Sequence, residues 1–509
     1  MSTSHTARRW SNEHGTFTVR RLTIHRPSNG GTLTPRFRNG VADVVALVKN
    51  SEQTGEQLCA AGSVWSLSEA IEPTGSLVNT RGLTDVPLIG LRPQYSSHPR
   101  RQHMIYCQAG IEIAILNRIL AERDLSLKAS GASNGQTIAG AVSTGTHGSA
   151  IRVGGLSETV RGIHLVTQGG RSLYIEPKSR PVTKAGFAQW LGAKLVRDDD
   201  ELFSSALVSF GTLGIICGFV LEVEPLFLLK RHRYRKPLSQ VLAGIGRQGA
   251  SMRIDPSLLP KGNRNLYHFE LLLNPNDYKK SGAIIQSIYR AGTVENYDYD
   301  DRAPRFQTVS GEALSFVSHM MNTFGRLVPK REIKKRVKEL EKKRYPNTGQ
   351  APETGVLGEL FPRTDLIPGG NSTEIAVDVR DAPAAITSIL EVIRKTKRAY
   401  PGLIGIRFVP RSHACLGFTR FSVSCTIELP AANARWIRAL YRKVFSQLRR
   451  DKIFYSLHWG QKLDFRLAPL SYMYPKSQIE AFRRSRARLL DGSTLFSNRA
   501  LERSGLLKD

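Results

Sequence analysis

The 509-residue chain has only five cysteines (Cys59, Cys107, Cys217, Cys415 and Cys425), odd in number and widely spaced. That usage argues against a disulfide framework and for a reducing compartment. No apolar run approaches the roughly 20 residues a membrane-spanning helix needs. Acidic residues are scarce: 43 Asp and Glu stand against 73 Lys and Arg, a formal charge of +30 with the 12 His neutral. No Cys-x-x-Cys, His-Glu-x-x-His or comparable ligand spacing occurs, so no protein-bound metal is expected. The strict Gly-x-Gly-x-x-Gly fingerprint and the Walker A loop are missing too, and Gly211–Thr212–Leu213–Gly214 alone is a weak signal.

What is present is globular: 40% hydrophobic and 23% charged residues, enough for two or three domains with their own cores. The basic excess could serve nucleic acid, an anionic surface or an acidic substrate. Lys and Arg are spread through every region and not gathered beside stacking aromatics, so nucleic-acid binding is the rival reading and not the expectation. Met1–Arg26 is rich in Ser, Thr and Arg with Glu13 its single acid, but it lacks the apolar run of a secretory signal. It reads as the start of the fold, and a cytoplasmic location is expected.

Periodicity places strands at Leu77–Asn79, His103–Cys107 and Ile215–Val223, the last ended by Pro225. Helical spacing runs over Ile111–Glu122, and a short helix over Leu202–Val208. Beyond Leu226 the chain becomes more charged and poorer in glycine clusters, which marks a boundary near residue 228. Lys330–Arg344 carries nine basic and three acidic residues with Ile333, Val337 and Leu340 on one helical face. Two readings stay open: a solvated surface helix on three core residues, or a weak contact with an anionic surface. Strands at Thr373–Val379 and Ile404–Val409 flank a helix over Ala384–Arg394, and an amphipathic helix covers Ala434–Leu448.

Gly131–Ala132–Ser133–Asn134–Gly135 matches the Gly-x-Ser-x-Gly nucleophile elbow, but Gly140, Gly145 and Gly148 follow too soon for the long helix that elbow requires. Two Gly/Ser-rich turns, Ala60–Ser66 and Ser130–Gly148, suit a pyrophosphate instead, because glycine lets backbone N–H groups approach it. Two such turns suggest an extended dinucleotide, whereas a Rossmann sheet would use one. Gln136–Thr137–Ile138–Ala139–Gly140 with Gly145–Thr146–His147–Gly148 resembles the flavin-binding segment of the vanillyl-alcohol-oxidase/PCMH superfamily, nearest its aldonolactone and alditol oxidase branch. Trp10 with Phe17, Asp200–Phe203, Gly211–Ile216, His458–Trp459–Gly460 and Leu495–Asn498 resemble further family segments in the right order. The resemblance covers residues 10–225 and 370–509, and does not reach 230–370.

The resemblance implies an α+β fold: a two-subdomain PCMH-type FAD-binding domain (1–228), a cap domain with an antiparallel sheet covering the flavin (229–434), and a C-terminal segment completing the flavin site (435–509). FAD contacts would come from Gly62, Ser63, Val64, Trp65 and Ser66, and from Ser133, Gln136, Thr137, Gly140, Ser143, Thr144, Thr146, His147 and Gly148. Ile216, His458 and Gln461 would complete them. Trp65 stands where many relatives have a flavin-bonded histidine, so non-covalent FAD is expected. Gln461 stands at the family's lysine, with Lys462 reaching in through a bulge as the alternative. Arg407 is kept in the family's Glu-x-Arg strand while Gly405 replaces the glutamate, which implies a bulkier or less hydroxylated substrate; Glu374 matches an acidic position. The activity implied is oxidation of an alcohol carbon, in a lactone, polyol or bulkier alcohol, by hydride transfer to flavin N5. Dioxygen or a redox carrier would be the final acceptor. His458 would accept a proton or polarise the substrate oxygen, Arg407 would orient substrate, and Gln461 would bond the flavin. The remaining readings are a nucleic-acid-binding protein and a flavin-binding protein without turnover.

Overall fold

Alternating polar and apolar residues open the chain. Thr3–Ser11 and Thr18–Arg26 pair antiparallel, and Leu22 and Ile24 turn inward onto Ala61 and Leu77. A computed structural model describes residues 2–300, 329–346, 348–363, 369–466 and 468–507. Two parallel strands, Ser76–Asn79 and Leu58–Ala61, complete the first, four-stranded sheet. A six-stranded sheet follows, and Ile215–Glu222 lies inside it between Val160–Thr167 and Met104–Gln108. That strand is buried along its whole length, which is why its sequence reads as a continuous apolar run rather than an alternation. The helices expected at 111–122 and 202–208 form at Ile113–Ala121 and Asp200–Leu207, the second capped by the Asp199 side chain on the Leu202 N–H.

From Phe227 onward the chain builds a wholly antiparallel eight-stranded sheet. Its order is Glu353–Gly355, Phe227–Lys236, Ala283–Thr293, Leu266–Leu273, Ile404–Pro410, Val423–Glu428, Glu374–Asp378 and Tyr455–Leu457. The last strand delivers His458 directly to the end of the sheet. Helices Ala382–Lys395 and Arg435–Arg450 pack on one another, their apolar faces joining the main core. The α+β fold with a large antiparallel sheet is therefore the one the resemblance implied. Among the described residues, no helix is long and apolar enough to cross a membrane.

One face of this sheet carries polar residues in register across neighbouring strands. Arg233 lies opposite Gln286, Gln286 opposite Glu270, and Glu270 opposite Arg407. Glu428 lies opposite both Gly405 and Glu374. All except Glu428 are buried, and hydrogen bonds join them: Arg233 Nε to Gln286 at 2.8 Å, Gln286 Nε2 to Glu270 at 3.0 Å, Arg407 Nε to Glu270 at 2.9 Å and Arg407 Nη1 to Glu428 at 2.8 Å.

Helix Lys330–Arg344 forms as its spacing predicts. Ile333 and Val337 are buried against Ala399 and Leu403, while Lys334, Lys335 and Lys338 are exposed. Glu341, on the inner side, accepts from Arg235 and, at 2.9 Å, from Asn274 Nδ2. Val337→Asp puts a carboxylate into this small apolar contact, at a cost of about 2 kcal/mol or more. The expected result is faster amide exchange across 330–344 with exchange in the eight-stranded sheet unchanged, read by hydrogen–deuterium mass spectrometry.

Candidate functional site

The two glycine-rich turns face each other across one cavity of about 380 Å³ that runs to the eight-stranded sheet. Gly62, Ser63, Val64, Trp65 and Ser66 line it from the first turn. The second contributes Ser133, Gln136, Thr137, Gly140, Ser143, Thr144, Thr146 and His147, and Ile216 comes from its buried strand. His458, Gln461 and Arg407 line the same cavity. Gly148 does not line this cavity; it packs against the loop's own start, where a β-carbon would lie 2.2 Å from the Ser130 carbonyl oxygen.

Local sequence explains this shape. Thr137 caps the short helix Ile138–Ser143, its hydroxyl accepting from the Gly140 N–H at 3.3 Å. The Trp65 indole spans from the first turn to the second and lies on Gly135, where a β-carbon would fall 2.2 Å from Cζ2. Val64, beside it, has φ +56°, a left-handed conformation that costs a β-branched residue about 1–2 kcal/mol. Its side chain packs in the apolar cluster of Leu22, Ile24, Ala61 and Leu77, which offsets that strain. The Ser66 hydroxyl and Leu67 N–H both donate to the Gly460 carbonyl, at 3.1 and 2.8 Å, and so tie the first turn to the C-terminal segment. Trp459 points away from the cavity into the core; its Nε1–H donates to the Leu416 carbonyl at 2.8 Å and its ring stands 4.2 Å from that of Phe210.

The residues fit FAD. Ser63 Oγ and Gln136 Oε1 are buried in the cavity wall and have no hydrogen-bond partner among the described residues, and polar atoms of that kind are unfavourable unless a ligand completes them.

The end of the cavity at the eight-stranded sheet carries the charge. Burial disfavours the Arg407 guanidinium, but Glu270 and Glu428 at 2.9 and 2.8 Å, with Glu374 at 3.5 Å, outweigh it and raise its pKa well above the usual value. Burial likewise pushes Glu270 up, yet Arg407 and His268 hold it at about 2. Gly405 does not leave open space: a β-carbon there would lie 3.3 Å from Arg407 Nη2, so the guanidinium fills it. The carboxylate missing at 405 is supplied from the paired strand by Glu428, directly opposite.

Of the two candidates beside the signature, Gln461 faces the cavity, with its Nε2 3.5 Å from Glu428 and its Oε1 unpartnered. Lys462 instead pairs with Glu69 at 2.6 Å and does not line the cavity. His147 donates from Nδ1 to the Gly148 carbonyl at 2.8 Å and places Nε2 3.2 Å from Glu374, so one proton lies between ring and carboxylate. Burial pushes Glu374 up, but His147, followed by His458 and Arg407, holds it far below the usual carboxylate range. His458 Nδ1 accepts the Gly460 N–H at 2.9 Å, which leaves the proton of the neutral ring on Nε2. The ligand atoms of His147, Glu374 and His458 lie within 4.8 Å of one another. A metal, however, would need the lone pair that His458 already commits to Gly460.

The spacing of sequence motifs missed Glu270, Glu428, Asn371 and Arg344. The first had a readable signal: His268 and Glu270 alternate inside the apolar strand Leu266–Leu273, and a buried polar alternation demands partners.

Two outcomes follow. Gly135→Ala forces Trp65 out of its seat, and overpacking of this kind weakens FAD retention about tenfold or more, checked by the flavin-to-protein ratio after gel filtration. Burial holds His458 at about 4 and His164 at about 3, below their unfolded value near 6.5. The unfolded chain therefore binds these protons first, and the stability present above pH 6.5 falls as pH drops, by about 2 kcal/mol for each histidine between pH 7 and 5. His164→Gln should flatten that decline in urea midpoints measured at both pH values.

Comparison with known proteins agrees with this geometry. A family described as FAD binding domain matches residues 39–175. The chain is 30% identical over 233 residues to an L-gulono-1,4-lactone dehydrogenase of Mycobacterium tuberculosis (strain CDC 1551 / Oshkosh), covering 46% of this chain and 45% of that protein. It is 26% identical over 224 residues to an alditol oxidase of a Streptomyces species, covering 44% of each. The match thus spans less than half the length of these relatives. In overall fold, it superposes on cholesterol oxidase from B. sterolicum with a TM-score of 0.71 at 13% identity, covering 100% of this chain and 98% of the other. It superposes on a solvent-stable cholesterol oxidase with a TM-score of 0.72 at 14% identity, covering 98% of each. Residues 39–175 thus match an FAD-binding domain, and the chain as a whole is similar in part of its sequence to a lactone dehydrogenase and an alditol oxidase and in overall fold to cholesterol oxidases.

Proposed function

We propose that the protein is an FAD-dependent oxidoreductase that oxidises an alcohol carbon of a small hydroxylated molecule, a polyol or a sugar lactone. The observation that carries this reading is the set of orphaned polar atoms near Arg407: both amide atoms of Asn371 and Gln461 Oε1, all buried in the cavity wall and without hydrogen-bond partners among the described residues. Hydroxyl groups satisfy such atoms, whereas a bulky apolar alcohol would leave them unpaired at about 1–3 kcal/mol each. With Gly405 covered by Arg407 and its carboxylate replaced by Glu428, a polyhydroxylated substrate suits the site better than the bulkier one that glycine alone suggests.

The bound FAD supplies the acceptor for a hydride from the alcohol carbon. In our reading residues 1–228 bind it, 229–434 cap it and 435–509 close the site. Trp65 in place of a histidine makes the attachment non-covalent. Glu374, kept ionised by His147, accepts a hydrogen bond from the reacting hydroxyl, orients its carbon and takes the hydroxyl proton as the hydride leaves that carbon. His458 donates from Nε2 to the substrate oxygen; of its two expected roles, its bond from Gly460 favours this one over proton acceptance. Arg407 stabilises negative charge developing on that oxygen, and Gln461 hydrogen-bonds the flavin edge with less electrostatic stabilisation than a lysine gives. Dioxygen or a redox carrier takes the electrons onward, in the cytoplasm; contact of Lys330–Arg344 with an anionic surface is a secondary part of the proposal.

The purified protein should be yellow and release its flavin to the supernatant on acid precipitation. A polyol or lactone should bleach it under anaerobic conditions. A colourless protein that takes up no FAD defeats the whole reading. Flavin that stays with the precipitate defeats the non-covalent part, and a yellow protein that no alcohol bleaches has no turnover.

A further inference from the structure

Arg344 ends the helix Lys330–Arg344, in a region outside the matched segments, yet its side chain lines the same cavity as Arg407, Glu428 and His458. Three buried arginines of the eight-stranded sheet are matched by acid. Arg231 and Arg233 share Glu353, at 2.8 and 3.0 Å, and Arg407 has Glu270, Glu428 and Glu374. Arg344 is exposed at the mouth of the cavity and, among the described residues, has no carboxylate within 4.0 Å and no hydrogen bond; its Cζ lies 5.9 Å from the Tyr345 ring centroid. Glu428, an acid of the chamber wall, is already engaged by Arg407, Ser372 and Gln461.

A guanidinium offers five donors and accepts nothing. A neutral substrate closing this chamber would strip water from the Arg344 charge without supplying a counter-charge, which is unfavourable. The neutral donors and acceptors that hydroxyls need are already present on Asn371 and Gln461. An oxyanion, by contrast, meets the guanidinium fork with two parallel charge-assisted hydrogen bonds. The exposed Lys334, Lys335 and Lys338 on the same helix put positive potential outside the chamber and draw anions toward it.

We infer that Arg344 forms a subsite for an oxyanion, a carboxylate or a phosphate, carried by the hydroxylated substrate away from the carbon that is oxidised. The inference rests on the alcohol-oxidising reading above and narrows its substrate class to sugar acids or phosphorylated polyols.

The test compares FAD-loaded wild type, Arg344→Gln and Arg344→Lys on three matched substrates: an alditol, its terminal carboxylate and its terminal phosphate. Wild type should favour one anion over the neutral alditol in kcat/KM, and which anion it favours separates the two sources. Arg344→Gln should cut that anion-to-neutral ratio about tenfold or more, with partial recovery in Arg344→Lys. In parallel, calorimetric titration of the FAD-loaded proteins uses a carboxylate and a phosphate that lack the reacting hydroxyl; one should bind wild type and fail to bind Arg344→Gln. Equal kcat/KM for neutral and anionic substrates overturns the inference, as does an equal fall for both classes in the variants or anion binding that survives Arg344→Gln. If no alcohol bleaches the flavin, the functional reading fails while the calorimetric arm still decides the role of Arg344. An unchanged visible flavin spectrum and melting temperature certify each variant, and Arg344→Lys carries the comparison alone if Arg344→Gln does not fold.

Discussion

Arg407 is a buried cation, and a buried cation is stable only where partners surround it. Its partners come from three different strands: Glu270, Glu428 and Glu374. That requirement fixes strand register, because a slip of one residue would turn Glu270 or Glu428 to the opposite face. The same register sets Gly405 under the guanidinium and brings the end of Tyr455–Leu457, with His458, beside Glu374. The sheet end of the cavity is thus held by charge matching, while the other end is held by close packing between glycine-rich turns.

The flavin half was legible in the chain because its chemistry is local. A loop that wraps a pyrophosphate needs Gly, Ser and Thr at short spacing, and those residues line the cavity with Gly148 as the exception. Gly148 serves the loop's closure on Ser130, a demand of backbone packing that looks the same in sequence as a demand of ligand approach. The eight-stranded sheet was harder because its logic is cross-strand. Gly405 reads as a lost carboxylate along the chain, but Glu428 restores it from the strand opposite, 23 residues later in sequence. Arg344 belongs to no motif and enters the cavity only because Ile333 and Val337 dock its helix against Ala399 and Leu403.

The excess positive charge divides in the same way. A few arginines are buried, and these are matched by acids or carbonyl groups, as Arg231 is by Glu353 and by the Leu360 carbonyl at 3.1 Å. The larger share is exposed, as along the outer side of Lys330–Arg344, where Arg336 bridges Glu332 and Glu339 at the surface. Exposed pairs of that kind contribute about 0–1 kcal/mol each, so the charge shapes the field around the molecule far more than its stability.

The seat of Trp65 against Gly135 has an optical consequence. An indole in the wall of this cavity would be a donor for resonance energy transfer to a flavin bound there. Occupancy of the site would thereby quench part of the ultraviolet emission of a chain that has five tryptophans, without any label.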